Sequence, residues 1–142
     1  MKLPLQDVNW LGGERATINA LVKVGSSQFT TTFLTDTGSP LTIICMNDIQ
    51  KTRIPYSTLP THIRMRLIVD MDLKILGEAT LTFRDGEQNT VQIQHPIYVG
   101  ILVNKNQELV RKLSLSFLGK DLLDKFNWGI SKKDEKGIRY LE

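Results

Sequence analysis

The sequence is poor in several things. Its 142 residues hold one cysteine, Cys45, with five prolines and ten glycines, and no apolar run approaches the roughly 20 residues that cross a bilayer. A lone thiol closes no internal disulfide, and no cysteine pair offers zinc-ligand spacing, so a secreted disulfide scaffold and a zinc module are excluded and a reducing, cytoplasmic setting is expected. Glycine and proline are too sparse for a collagen-like or low-complexity chain. The stretch from Met1 to Trp10 lacks the basic and then apolar segments of a signal peptide, so no membrane association is expected. Charge of one sign is missing too: 18 basic and 15 acidic side chains leave +3. The densest basic group, Lys132, Lys133 and Lys136, is interleaved with Asp134 and Glu135, which fits a solvated turn better than a nucleic-acid patch.

What is present suits one globular unit spanning 1–142, because 41% hydrophobic and 23% charged residues suffice to bury a core. Ile18, Ala20, Val22 and Val24 alternate with polar neighbours as a half-buried strand does, and Gly25-Ser26-Ser27 turns the chain into Gln28 to Thr35. Ile63 to Val69 alternates again, and Leu73 to Phe83 is extended in character. Asp85-Gly86 supplies a tight turn into Thr90 to Val99, where Pro96 suggests an edge or a strand end. Lys120 to Phe126 has the apolar spacing of one short helix, the only helix expected. Beyond it, the segments around Trp128 and Tyr140 form a hairpin or a tail. These signals predict an all-β domain with one short C-terminal helix.

The most informative stretch runs from Phe33 to Ile44, where Asp36, Thr37, Gly38 and Ser39 interrupt two apolar strands. Burying an ionised carboxylate costs several kcal/mol unless donors surround it, so an acid at the end of a core strand is either satisfied locally or functional. An Asx-type turn between strands is the plainer reading. The tripeptide alone is weak.

Its context is stronger. The segment 16–44 resembles the N-terminal half of retropepsin-like aspartic proteases, in which a hairpin leads into an apolar pair, Asp-Thr-Gly-Ser or Asp-Thr-Gly-Ala, and another apolar strand. Leu115-Ser116-Phe117-Leu118-Gly119-Lys120-Asp121-Leu122-Leu123 is similar to the apolar pair, Gly, Arg, Asp and helix that close that family's core, and 74–83 resembles the strand after the flap in enzymes of long-terminal-repeat retrotransposons. The resemblance covers about residues 16–130, and two ordered, separated motifs make it more specific than Asp36 alone.

The resemblance implies a closed acid-protease barrel and an endopeptidase that cleaves extended peptides, with polyprotein processing as its setting. Such chemistry needs two carboxylates about 3 Å apart sharing one proton, one activating water and the other polarising the peptide carbonyl. The chain carries a single Asp-Thr-Gly, so a homodimer must join Asp36 to its symmetry mate, and the pair titrates as a unit. Thr37 then braces the two loops, Gly38 contacts substrate backbone, and a Ser39 hydroxyl donating to the carboxylate favours its charged form and an acidic pH optimum. Ile68, Val69, Asp70, Met71 and Leu118 are the further substrate-binding candidates, with 69–72 as the flap tip and Asp70 and Asp72 in a polar turn. No cofactor or metal is implied.

Departures are visible. Lys120 replaces the usual Arg and Pro40 its usual acidic partner, so dimer stability must come from elsewhere, with Leu3 to Val8 and Ile138 to Leu141 as candidate edge strands between subunits. His62 and His95 are isolated and read as surface or strand-end histidines, and Cys45 as a small buried side chain. The rival reading is a dimerisation or peptide-binding module that keeps the fold without useful proteolysis.

Overall fold

Alternating burial builds the sheet as expected. In β2 (Gly13–Val24), Ile18, Ala20, Val22 and Val24 point inward, and in β3 (Ser27–Thr35) Phe29, Thr31 and Phe33 do. Gly25, at φ 58°, takes the left-handed first position of the two-residue turn joining them, where a side chain would be strained. This computed structural model describes residues 3–10, 13–66, 70–103, 115–130 and 138–141. The remaining strands are β1 (Gln6–Trp10), β4 (Ile43–Ile44), β5 (Thr61–Arg66), β6 (Asp70–Arg84), β7 (Thr90–Leu102), β8 (Ser116–Leu118), β9 (Trp128–Ile130) and β10 (Ile138–Leu141).

Eight strands form one sheet in the order β1-β2-β3-β8-β4-β7-β6-β5, and a further β2–β6 pairing brings the sheet round into a ring. Two clusters fill it. The larger includes Val22, Phe33, Leu81, Phe83, Val99, Leu122 and Leu141, with Phe83 and Phe126 edge to face at 6.2 Å. The smaller gathers Leu34, Ile43, Met71, Leu73, Leu102 and Phe117 beneath the β5–β6 hairpin.

Several expectations need correcting. The helix at Lys120 is present as α2 (Lys120–Leu123), but α1 (Met46–Ile49) precedes it, and four residues are too few to show a helical period. The Asp85 turn is longer than the two-residue type, because the Asp85 carboxylate accepts the Glu87 and Asn89 N–H groups at 2.9 Å each and Gln88 takes φ 68°. Of the two readings of Pro96 the edge holds and the strand end does not, since it lies within β7. There β7 pairs with β6 on one side, while β4 reaches only Tyr98 and Val99 on the other, so the missing N–H is tolerated. Asp70 and Asp72 belong to strand β6, opposite Arg66 and Arg64, rather than to a polar turn.

At the C-terminal end the hairpin alternative holds: β9 and β10 pair antiparallel. Leu3 donates its N–H to the Leu141 carbonyl at 2.8 Å, and both side chains are buried. β1 pairs with β2. The two terminal segments thus pair within one chain. The charged stretch 131–137, with Lys132, Lys133 and Lys136, lies outside the described residues, as do Ile68 and Val69. No helix among the described residues is long and apolar enough to cross a membrane.

Candidate active site

β3 and β8 run parallel, with Thr35 beside Leu118, and β8 runs antiparallel to β4 through Ile43 and Phe117. The chain leaves β3 and re-enters at β4 on the other side of β8. The loop 36–42 therefore straddles the end of β8, and the backbone there ties it down: Asp36 N–H donates to Leu118 O at 3.0 Å, Lys120 N–H to Ser39 O at 2.7 Å and Asp121 N–H to Pro40 O at 3.3 Å. Gly119 makes this possible, since a Cβ on it would meet the Leu41 carbonyl oxygen at 2.2 Å.

On this base Asp36 is partly exposed, with Thr37 and Gly38 exposed beside it. Its Oδ1 accepts the Gly38 N–H at 2.9 Å, an Asx-type bond that fixes the carboxylate on the open side of the loop. A Cβ on Gly38 would lie 3.2 Å from that oxygen and crowd it. Ser39 departs from expectation. It is fully buried and its hydroxyl donates to Leu41 O at 2.7 Å, so it braces the loop from beneath, and the argument that it charges Asp36 and thereby sets an acidic optimum falls.

The other candidates fall in different places. Leu118 is wholly buried, so it supports Asp36 through its carbonyl and presents no side chain to a substrate. Met71 is buried against an apolar cleft under the β5–β6 hairpin that Ile43, Met46, Gly100, Leu102, Leu115 and Phe117 also line. Asp70 is exposed at the start of β6. Asp72 pairs with Arg64, Nε to Oδ1 at 2.8 Å, and this hydrogen bond holds the Asp72 carboxyl below the usual carboxylate range. Ile68 and Val69 stay outside the described residues.

Sequence reading missed two buried polar networks. Asp121 at the start of α2 accepts the Thr42 hydroxyl at 2.8 Å and the Thr42 N–H at 3.3 Å, while Gly119 N–H donates to the same hydroxyl at 3.1 Å. His95 is not at a surface or a strand end: it is buried in β7, its Nε2 2.8 Å from Asp121 Oδ2. In the second network Asp48 of α1 accepts the hydroxyls of Thr31 and of Ser116, the latter at 2.7 Å, and Ser116 Oγ accepts the Cys45 N–H at 3.0 Å. Cys45 is buried as expected, and that burial pushes its thiol up, away from the nucleophilic thiolate. No spacing rule links residues 31, 48 and 116, or 42, 95 and 121. The described residues hold no cluster of three metal-ligating side chains.

The described residues form a mostly β sheet ring in which the Asp36-Thr37-Gly38 loop is tied by backbone bonds to the 118–121 turn. The comparison with solved structures agrees on the fold. The crystal structure of a retropepsin-like aspartic protease from Rickettsia conorii is similar at a TM-score of 0.56, with 98% of this chain and 92% of that chain covered, at 22% sequence identity. No family model and no curated protein matches the sequence.

Proposed function

We propose that the chain is an aspartic endopeptidase whose active site forms when two copies bring their Asp36 loops together. The observation that carries this reading is Asp36 itself, a partly exposed carboxylate on a loop otherwise fixed by buried backbone bonds to 118–121. One carboxylate cannot both activate water and polarise the carbonyl, which is why the reading requires a second copy.

In the resulting cleft one Asp36 takes a proton from water and the other, protonated, hydrogen-bonds the scissile carbonyl. The substrate lies extended, as a strand pairing with backbone does, its side chains alternating between pockets. The apolar cleft lined by Ile43, Met71 and Phe117 has room for about one water and would take a side chain only by opening. Extended segments exposed in a polyprotein are the substrates this reading implies.

The test is incubation with a peptide mixture at pH 4 to 7, with and without a transition-state-analogue aspartic protease inhibitor, alongside Asp36→Asn. Expected are fragments that disappear with the inhibitor and with the variant, and activity per chain that rises with protein concentration. Identical fragments from wild type and Asp36→Asn remove the enzyme reading and leave a peptide-binding or dimerisation module of the same fold.

A further inference from the structure

We infer that His95 is a positioning residue for the Asp36 loop, acting through Asp121 and Thr42. Three observations meet on it. First, its ring is buried, yet Nδ1 has no hydrogen-bond partner among the described residues. Filling space gives no reason for an imidazole here, because an apolar ring would bury without leaving a nitrogen unmet. Second, among the described residues the ring bonds through Nε2 to Asp121 Oδ2 at 2.8 Å, which joins β7 to α2 across 26 residues. In the tautomer that carries a proton on Nε2, the ring donates to Asp121.

Third, what Asp121 holds is the loop. Oδ1 takes the Thr42 hydroxyl and the Leu122 N–H, both at 2.8 Å, and Oδ2 shares His95 with the Thr42 N–H. Thr42 is where the loop re-enters the sheet, and its hydroxyl also receives Gly119 N–H. Next to Gly119, Lys120 N–H holds Ser39 O. Rotation of the Asp121 carboxylate therefore shifts both the exit of the loop and the turn that carries its middle. Thr42 and Leu122 sit on the segments to be aligned, so they cannot supply the outside reference. His95, anchored in the β6–β7 ladder opposite Ala79, supplies one for Asp121, beside the Tyr98 N–H that holds the Thr42 backbone carbonyl from the same strand at 3.2 Å.

Only the activity readout rests on the protease reading; the exchange readout stands alone. Hydrogen exchange would be followed at Gly119 and Lys120, with Leu81 and Ile93 of the β6–β7 ladder as controls, in wild type, His95→Phe, His95→Gln and Thr42→Val. Phe keeps the ring volume and removes the donor, whereas the Gln amide restores a donor near the position of Nε2. Expected in His95→Phe is exchange at Gly119 and Lys120 faster by about tenfold, with the controls unchanged and His95→Gln close to wild type. Adding Thr42→Val to His95→Phe should cause little further acceleration at Lys120, because both break one chain of bonds, whereas Gly119 loses its own acceptor, the Thr42 hydroxyl, and exchanges faster still. In peptide cleavage, kcat should fall by about tenfold or more with KM within about twofold, and His95→Gln should recover most of the loss. Unchanged exchange at Gly119 and Lys120 in His95→Phe overturns the inference. Equal acceleration at Leu81 and Ile93 also overturns it, since His95 would then be a general core residue. A wild-type chain that cleaves nothing under any condition counts against the protease reading, and the exchange result still decides the role of His95.

Discussion

Gly119 and Leu41 touch backbone to backbone: a Cβ on the glycine would sit 2.2 Å from the Leu41 carbonyl oxygen, with Ser39 O at 2.9 Å. Both contacts are with main chain, which cannot swing aside as a side chain does. Gly119→Ala should therefore push the 36–42 loop off β8. The expected cost is about 3 kcal/mol or more, the upper end for overpacking, read as a lower urea midpoint with an unchanged m-value. Tolerance of alanine at this position would mean that the loop does not rest on 118–121 as described.

Ser39 separates two roles that the sequence leaves superimposed. A hydroxyl next to Gly38 has the Asp36 carboxylate within reach on paper, but the side chain turns inward and donates to Leu41 O at 2.7 Å. Ser39→Ala should leave the acidic limb of any pH–rate profile in place. It should lower stability by about 1 to 2 kcal/mol, because the Leu41 carbonyl loses a buried donor. An acidic limb that moves upward in this variant would restore the direct Ser39 to Asp36 bond.

Legibility followed the kind of contact. The β2–β3 hairpin was readable because period-2 alternation is local, and the Asp-Thr-Gly and Gly-Lys-Asp motifs because each is a continuous string. What joins the motifs was not. Thr42 to Asp121 and His95 to Asp121 cross 79 and 26 residues, and either partner alone looks like an ordinary polar residue in an apolar stretch. His95 reads as a surface residue because the neighbouring pattern Gln92, Gln94, Pro96 is exposed, whereas the opposite alternation places Ile93, His95 and Ile97 inward. Asp48 is a similar case. Its buried hydroxyl donors lie on β3 and β8, the strands that lead into Asp36 and supply its backbone acceptor, and no single segment reveals that.

Arg64 and Asp72 make a pH-sensitive pair across the β5–β6 hairpin. The guanidinium hydrogen-bonded to Asp72 holds that carboxyl below its ordinary value, which for Asp is about 3.9. A depressed carboxyl contributes stability above its unfolded value and loses it as pH falls through the lower folded one. The pair therefore persists from neutral pH down to about 4 and fails only in stronger acid. Arg64→Ala should raise the Asp72 titration midpoint in an NMR experiment. Global unfolding should hardly move, because Arg64 is 65% exposed and water screens the pair. A midpoint that stays depressed without Arg64 would assign the effect to Lys74 instead.

Gly100 borders the apolar cleft where Met71, Ile43 and Phe117 meet. A Cβ there would lie 2.9 Å from Ile43 Cγ2 and 3.0 Å from Met71 Sδ. Unlike the contact at Gly119, these neighbours are side-chain atoms; the Met71 thioether is flexible enough to yield, whereas Ile43 Cγ2 sits on a stiff β-branched carbon and moves only with its residue. Gly100→Ala should fold, at a cost of about 1 to 2 kcal/mol, while displacing Met71 into the cleft. If this cleft receives a substrate side chain, the variant should slow cleavage of peptides carrying Leu or Phe at the matching position by about tenfold relative to those carrying Ala. The comparison is a set of peptides differing at one residue, ranked by kcat/KM for wild type and variant. An unchanged ranking would place the pocket for that side chain elsewhere on the loop side of the sheet.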